Sequence, residues 1–347
     1  MAEAPYHDWL ASLAEMEAVD PLHLACVLTR SAGMDGPRTD PLMESRDLTR
    51  DLRMLRSLPL EQHGFDEPEL TRWRLRLVGY AQLVEMDGPL FVMANLLRLK
   101  CGLSYSLSPF VDLRKRMEKA EREGRQLPFG IPSVPLSSKL QKMDSLAAKA
   151  GVTPASEIFG RFYFRELRNA IQHADYALDG KRFCMRSGCI PEKAGGNVMV
   201  PYVPLERIDE ILTEAETFYD RFFSVEEHIR GSLAQSRGQV LPYDPGLKGL
   251  LEFLVDDAGL LCGWKVHWPN GSDSYFRRDE SGCKAVNWHF SDSGPSLMVG
   301  LIHEEHERSR FSPLVHKDAE PKYTPCEGSD EPIHWPKSAS DGDLPVS

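Results

Sequence analysis

The stretch that most restricts the fold is residues 164–175, Phe-Arg-Glu-Leu-Arg-Asn-Ala-Ile-Gln-His-Ala-Asp. At about 100° per residue, Phe164, Leu167, Ala170, Ile171, Ala174 and Leu178 fall on one side, at the i, i+3, i+4, i+7 spacing of an amphipathic helix. That side predicts a core stripe. Asn169 and His173 stack one turn apart on roughly the opposite face, with Tyr176 three residues further on. Arg168 lies nearer the stripe, beside Gln172 and Asp175, and its long guanidinium can reach round to the same pocket. A cation, an amide and an imidazole thus converge on a helix whose other side is buried.

The flanking sequence supplies packing partners. Residues 67–101 are apolar with helical period, and Asp87-Gly88-Pro89 must bend or restart the helix because proline removes a donor and crowds the preceding turn. Glu85, just before that break, either needs a partner, for which Arg168 is a candidate, or faces solvent at the kink. Pro154 opens the motif helix where its missing N–H costs little. After Asp179-Gly180, residues 182–189 and 198–203 are β-prone around Gly195-Gly196-Asn197, which predicts a hairpin just past His173. Residues 205–233 read as a long amphipathic closing helix.

Composition bounds the remainder. A chain of 347 residues exceeds one typical domain. Residues 1–66 read as a helical extension, 67–234 as a helical domain, and 247–311 as a small α+β module, in which a helix over 247–258 precedes short strands. Residues 312–347, rich in Pro, Ser, Asp and Glu, read as a flexible tail. Trp264, Trp268, Tyr275, Trp288 and Phe290 suit the core of a small sheet better than base stacking. Residues 113–125 read as a charged helix, and 238–246 as a domain boundary. Seven scattered cysteines, odd in number and without a CxxC pair, argue for reduced thiols. There is no apolar run of about 18 residues and no leader-like N-terminus, so the expectation is a cytoplasmic protein without a membrane partner. His303 and His306 are three apart, whereas a zinc protease helix needs four, and no metal or cofactor is expected.

The net charge of −11 argues against a surface that coats nucleic acid throughout. Around the motif, Arg161, Arg165, Arg168, Lys181, Arg182 and Arg186 stand against Glu166, Asp175 and Asp179. Taken singly these are a solvated mixed-charge face; beside the motif they suit phosphate contact.

Arg168-Asn169-x3-His173 resembles the R-N-x3-H form of the R-x4-6-H signature of HEPN domains, many of which are metal-independent RNases. Residues 80–101 are similar to the helix that packs beside the motif helix in that family, and 183–219 to the hairpin and closing helix of some members. The resemblance covers roughly residues 67–230. It implies a mainly α fold there, a HEPN-like bundle with a β-hairpin insertion, to which the residues beyond add the small α+β module. It further implies RNA cleavage through the 2′-OH by Arg168, Asn169 and His173, with Arg165, Tyr176, Lys181 and Arg182 on the substrate and Glu85 in support. The substrate would be single-stranded RNA or tRNA. One His per chain leaves one of two proton transfers uncovered, and family members commonly pair face to face, so a C2 homodimer with a composite site is expected. The face of Asn169 and His173, turned from its own core, agrees with this independently. A toxin or antiphage role, with an antitoxin or regulatory partner, follows by analogy. The competing expectation is a noncatalytic HEPN-like dimer that binds nucleotides or proteins.

Overall fold

The computed structural model describes residues 5–14, 19–31, 41–111, 122–123, 134–237, 239–243, 249–268, 272–279, 282–291, 294–297, 311–314, 322–325 and 333–334. The helices are α1 (Pro5–Ala14), α2 (Pro21–Thr29), α3 (Pro41–Arg56), α4 (Pro68–Leu83), α5 (Asp87–Lys100), α6 (Leu136–Ala150), α7 (Ala155–Phe159), α8 (Arg165–Gln172) and α9 (Leu205–Ala234). Short antiparallel strands complete a mainly helical chain. It divides into two compact units, one of Met1–Glu15, Asp40–Leu97 and Phe110–Val225, the other of Met16–Thr39, Arg98–Pro109 and Glu226–Ser347. The units are therefore not the consecutive segments that the sequence suggests, because α1 joins the first and α2 the second.

The first unit is held by an aromatic cluster. Phe218 of α9 is fully buried, with ring centroids 5.1 Å from both Phe159 and Phe162 and 5.9 Å from Tyr6. The Trp9 ring, 6.4 Å from Phe218, also donates from Nε1 to the Thr153 carbonyl at 2.9 Å. Arg72 of α4 closes the open end of α3, donating to the carbonyls of Arg56 and Leu58 at 3.1 and 2.9 Å. The Arg56 carbonyl, at the last position of the helix, has no residue of α3 left to donate to it. The expected break at residues 87–89 is present: α4 ends at Leu83, and α5 restarts at Asp87 with Pro89 in its first turn.

The motif helix is shorter than its apolar spacing predicts. Residues 155–172 form α7 and α8, separated at Gly160–Phe164, and α8 stops before His173. Tyr176 and Leu178 lie instead on strand β1 (Tyr176–Leu178), which pairs with β2 (Arg182–Met185). The physical reason is at Ala174, whose φ of 51° turns the chain out of the helix. The expected hairpin region is a set of antiparallel pairs: β2 also pairs with β5 (Tyr202–Pro204), and β3 (Ile190–Pro191) with β4 (Met199–Val200).

In the second unit, β6 (Val240–Tyr243), β7 (Gly249–Val255), β8 (Leu261–His267), β9 (Asp273–Asp279) and β10 (Gly282–Val286) form one antiparallel meander in sheet order β10-β9-β8-β7-β6. Helix α2 packs on β8, capped at its start by Asp20, which accepts from the amides of Leu22 and His23. Residues 249–255 thus form a strand, not the expected helix over 247–258. Gly-Leu-Leu-Glu-Phe-Leu-Val is buried on both faces, and a short continuous apolar run has no period to separate strand from helix. Trp264, Trp268, Phe276 and Trp288 are buried, so the tryptophans serve the core as expected. Gly263 allows β8 to meet β9, since a Cβ there would lie 2.2 Å from the Phe276 carbonyl oxygen. Strands β11 (Trp288–Ser291) and β12 (Gly294–Leu297) pair beyond the meander.

Within residues 311–334, most of which fall in the expected flexible tail, β13 (Phe311–Leu314), β14 (Lys322–Pro325) and β15 (Ile333–His334) pair antiparallel. Ladder bonds need only backbone groups, so a polar composition does not forbid them. His303, His306, Cys326 and most of residues 113–125 lie outside the described residues, as do 238, 244–246 and the side chain of Phe290, while residues 240–243 of the expected boundary form strand β6 of the sheet. Among the described residues, no helix is long and apolar enough to cross a membrane.

Candidate active site

Helix α8 is fixed at both ends. At its start the buried Tyr80 hydroxyl of α4 donates to the Phe162 carbonyl at 2.7 Å and accepts from the Phe164 amide at 3.2 Å. One hydroxyl can do both, so a single side chain satisfies the two backbone groups where the chain turns into the helix. Burial pushes the Tyr80 phenol well above its ordinary pKa. At the other end the Asp175 amide donates to the Ala170 carbonyl at 2.8 Å, and the Ala174 amide to that of Ile171 at 3.1 Å. This is a Schellman ending, with alanine where glycine is usual. His173 is the capping residue, at φ −94° and ψ 2°, and its side chain is exposed.

Arg168 does not reach into the pocket beside His173. Its Nη2 pairs with Glu85 in the turn between α4 and α5, and its Nη1 donates to Asn169 Oδ1 at 2.8 Å. Of the two readings of Glu85, a partner in Arg168 or solvent at the kink, the pair with Arg168 is the one present. Arginine only donates, so the Asn169 oxygen must face it, leaving the two Nδ2 hydrogens for another acceptor. Arg168 Nε is buried without a hydrogen-bond partner. Tyr163 stands close by, its phenol pKa raised by burial, with the charge of Arg168 opposing and that of Glu85 adding.

His173 and Asn169 instead line an open cleft of about 560 Å³ with Arg165, Glu166, Ala170, Asp175, Ser187 and Gly188. Arg165 donates from Nε and Nη2 to Glu166 Oε1 at 3.2 and 3.0 Å. The opposite wall is tied down by Ser187, whose hydroxyl donates to Asp175 Oδ2 at 2.8 Å. Gly188 sits at φ +94°, and a Cβ there would lie 2.9 Å from Glu166 Cβ. Among the described residues the His173 imidazole makes no hydrogen bond or ion pair. An exposed imidazole next to amide donors and a guanidinium can exchange protons and hold an anion.

The other expected substrate residues lie elsewhere. The Tyr176 ring stacks on Phe183, centroids 4.9 Å apart at 21°. Lys181 lines a second cleft with Arg56, Trp73, Arg76 and Asp209. Arg182 is bound to Asp179, Nε to Oδ2 at 2.9 Å, and the amides of Lys181 and Arg182 hold that carboxyl below the usual carboxylate range. Arg161 pairs with Glu214, and Arg186 faces Asp175 at 3.8 Å, so the basic island is largely matched by acids. Sequence reasoning did not assign Glu166, Asp175, Ser187 or Gly188 to the site. Glu166 could have been found from its i, i+3, i+7 spacing with Asn169 and His173.

No family model matches the chain, and neither curated proteins nor solved structures show a match.

Proposed function

We propose that this protein is a metal-independent endoribonuclease of HEPN type that cleaves RNA through the 2′-OH, and that the cleft of His173 is where it does so. The observation that carries the reading is the exposed, unbonded His173 beside Asn169 and Arg165. The Glu85–Arg168–Asn169 chain supports it by turning the Asn169 amide donors outward. His173 moves a proton, Asn169 and Arg165 hold the phosphate, and Arg168 orients Asn169. Two chains pair about a twofold axis through this face, so that RNA lies between the copies. The setting is a reducing cytoplasm, which suits the thiols of Cys26, Cys184 and Cys189. A toxin or antiphage effector restrained by a partner is the biological form of this reading.

The test is incubation with tRNA and mRNA in EDTA. Wild type yields fragments ending in 2′,3′-cyclic phosphate, and His173→Ala and Arg168→Ala lose most of that yield. A wild type that leaves both RNAs intact, or two variants that cut as well as it does, removes the reading. One observation favours the noncatalytic alternative. Arg168 is already engaged by Glu85, and its neighbours are also paired, as in a face that holds an assembly together.

A further inference from the structure

A single imidazole handles only one of the two proton transfers that 2′-OH cleavage requires, one from the nucleophile and one to the leaving oxygen. We infer that the second group is Glu166 of the same chain, which with His173 forms a complete acid–base pair inside one cleft. The inference rests on the RNA-cleavage reading above and adds to it a catalytic residue that the motif does not include.

Three observations carry it. Glu166 stands in the first turn of α8 and His173 caps its end seven residues on, which puts them on one side and roughly 10 Å apart along the axis with Asn169 between them, and all three line the same cleft. That spacing leaves room for a phosphodiester between two side chains reaching toward it. Second, the Glu166 side chain is held by its neighbours. Arg165 holds Oε1 with two hydrogen bonds, and Gly188 lies against its Cβ and Cγ, while Oε2 has no protein partner among the described residues. Third, the other acid in the cleft is occupied: Asp175 Oδ2 accepts from Ser187, and Oδ1 faces Arg186. The charged and titratable groups around Glu166 are Arg165 and His173 on its own segment, Tyr163 before it, and Asp175 across the cleft, which Arg186 faces in turn.

The step balances without any further reactant. Glu166 takes the proton of the ribose 2′-OH as its oxygen bonds to phosphorus. The bond from phosphorus to the 5′-oxygen breaks, and imidazolium His173 gives its proton to that oxygen. The products are a 2′,3′-cyclic phosphate and a 5′-hydroxyl, and exchange with water restores carboxylate and imidazolium. The step starts from Glu166 as carboxylate and His173 as imidazolium, so removing either group removes one side of the dependence of rate on pH.

The experiment measures cleavage of a defined single-stranded RNA across pH by full-length wild type, Glu166→Gln, Glu166→Asp and His173→Ala, with thermal melts for folding. Glu166→Gln is expected to be slower by about 100-fold or more and to lose the acidic limb, and Glu166→Asp to recover part of the rate with the limb intact. Rates within threefold of wild type and an unchanged profile for Glu166→Gln overturn the inference while leaving the RNase reading in place. Assemblies isolated from differently tagged His173→Ala and Glu166→Gln chains are expected to stay inactive, because each cleft lacks one group. Recovery toward half of wild-type activity overturns the single-chain pair, because it shows the two groups acting from different copies. Inactive wild type removes both readings.

Discussion

His173 and His267 carry one side chain into opposite surroundings, an open helix end in the first unit and the interior of a five-stranded sheet in the second. His267 is fully buried, with Nδ1 2.9 Å from Asp273 Oδ1 and Nε2 2.9 Å from Glu252 Oε2. Strand register puts Asp273 opposite His267 and Glu252 opposite Lys265, so all four share a face, and Lys265 Nζ lies 3.4 Å from Asp273 Oδ2. With a carboxylate at each ring nitrogen both nitrogens must donate, which is the charged imidazolium. Burial works against that charge, but the bonds to Asp273 and Glu252 outweigh it, and the pKa is raised. A histidine committed to two acids serves the fold; one with neither can serve a substrate.

The comparison is broken most directly at His173. Replacement by alanine is expected to lower RNA cleavage by about 10²–10⁴-fold, with stability within about 0.5 kcal/mol of wild type because the ring is exposed. Equal losses of activity and of fold would make His173 a second structural histidine.

His267→Leu should do the reverse. Removing the cation leaves Glu252 and Asp273 facing each other's charge in the sheet interior, and a loss of about 3–5 kcal/mol is expected in denaturant unfolding followed by tryptophan fluorescence. The pH dependence has a definite sign. A folded pKa above the unfolded value of about 6.5 gives stability that is full below that value and is lost as pH rises through the folded one. Wild type should therefore weaken as pH rises above about 6.5, and the variant should lack that slope.

Smaller effects sharpen the contrast on the side of the cleft. Tyr80→Phe strands the Phe162 carbonyl and the Phe164 amide, so about 1–3 kcal/mol is expected to go, with faster amide exchange at Phe164. Ala174→Gly relieves a left-handed alanine and should gain up to about 1 kcal/mol in the same unfolding assay. A loss there would mean that the helix end is not strained.

What could be read in advance divides along the same line. Long periodic segments announced themselves: α9 runs from Leu205 to Ala234 against an expected 205–233, and the restart at Asp87 follows from proline chemistry. The end of α8 did not, because nothing in the apolar spacing marks Ala174 as left-handed; only the chain beyond it, paired as β1 and β2, draws it there. Strand β7 was unreadable for want of any period. At the site, the exposure of His173 followed from helix geometry; the turn of Arg168 away from that pocket to Glu85 did not, because a long flexible side chain goes to the partner that the fold brings near it. The separation of Lys181 and Arg182 from the cleft did not, since it depends on which way a hairpin turns.

Gly188 makes the cleft adjustable by one methyl group. An alanine there has to take up a backbone angle foreign to it and push against the stem of Glu166, so the wall and the carboxylate would shift together while every reactive group stayed in the chain. The smallest side chain in the pocket thus sets its width, and Gly188→Ala is a way to narrow the pocket without deleting anything inside it.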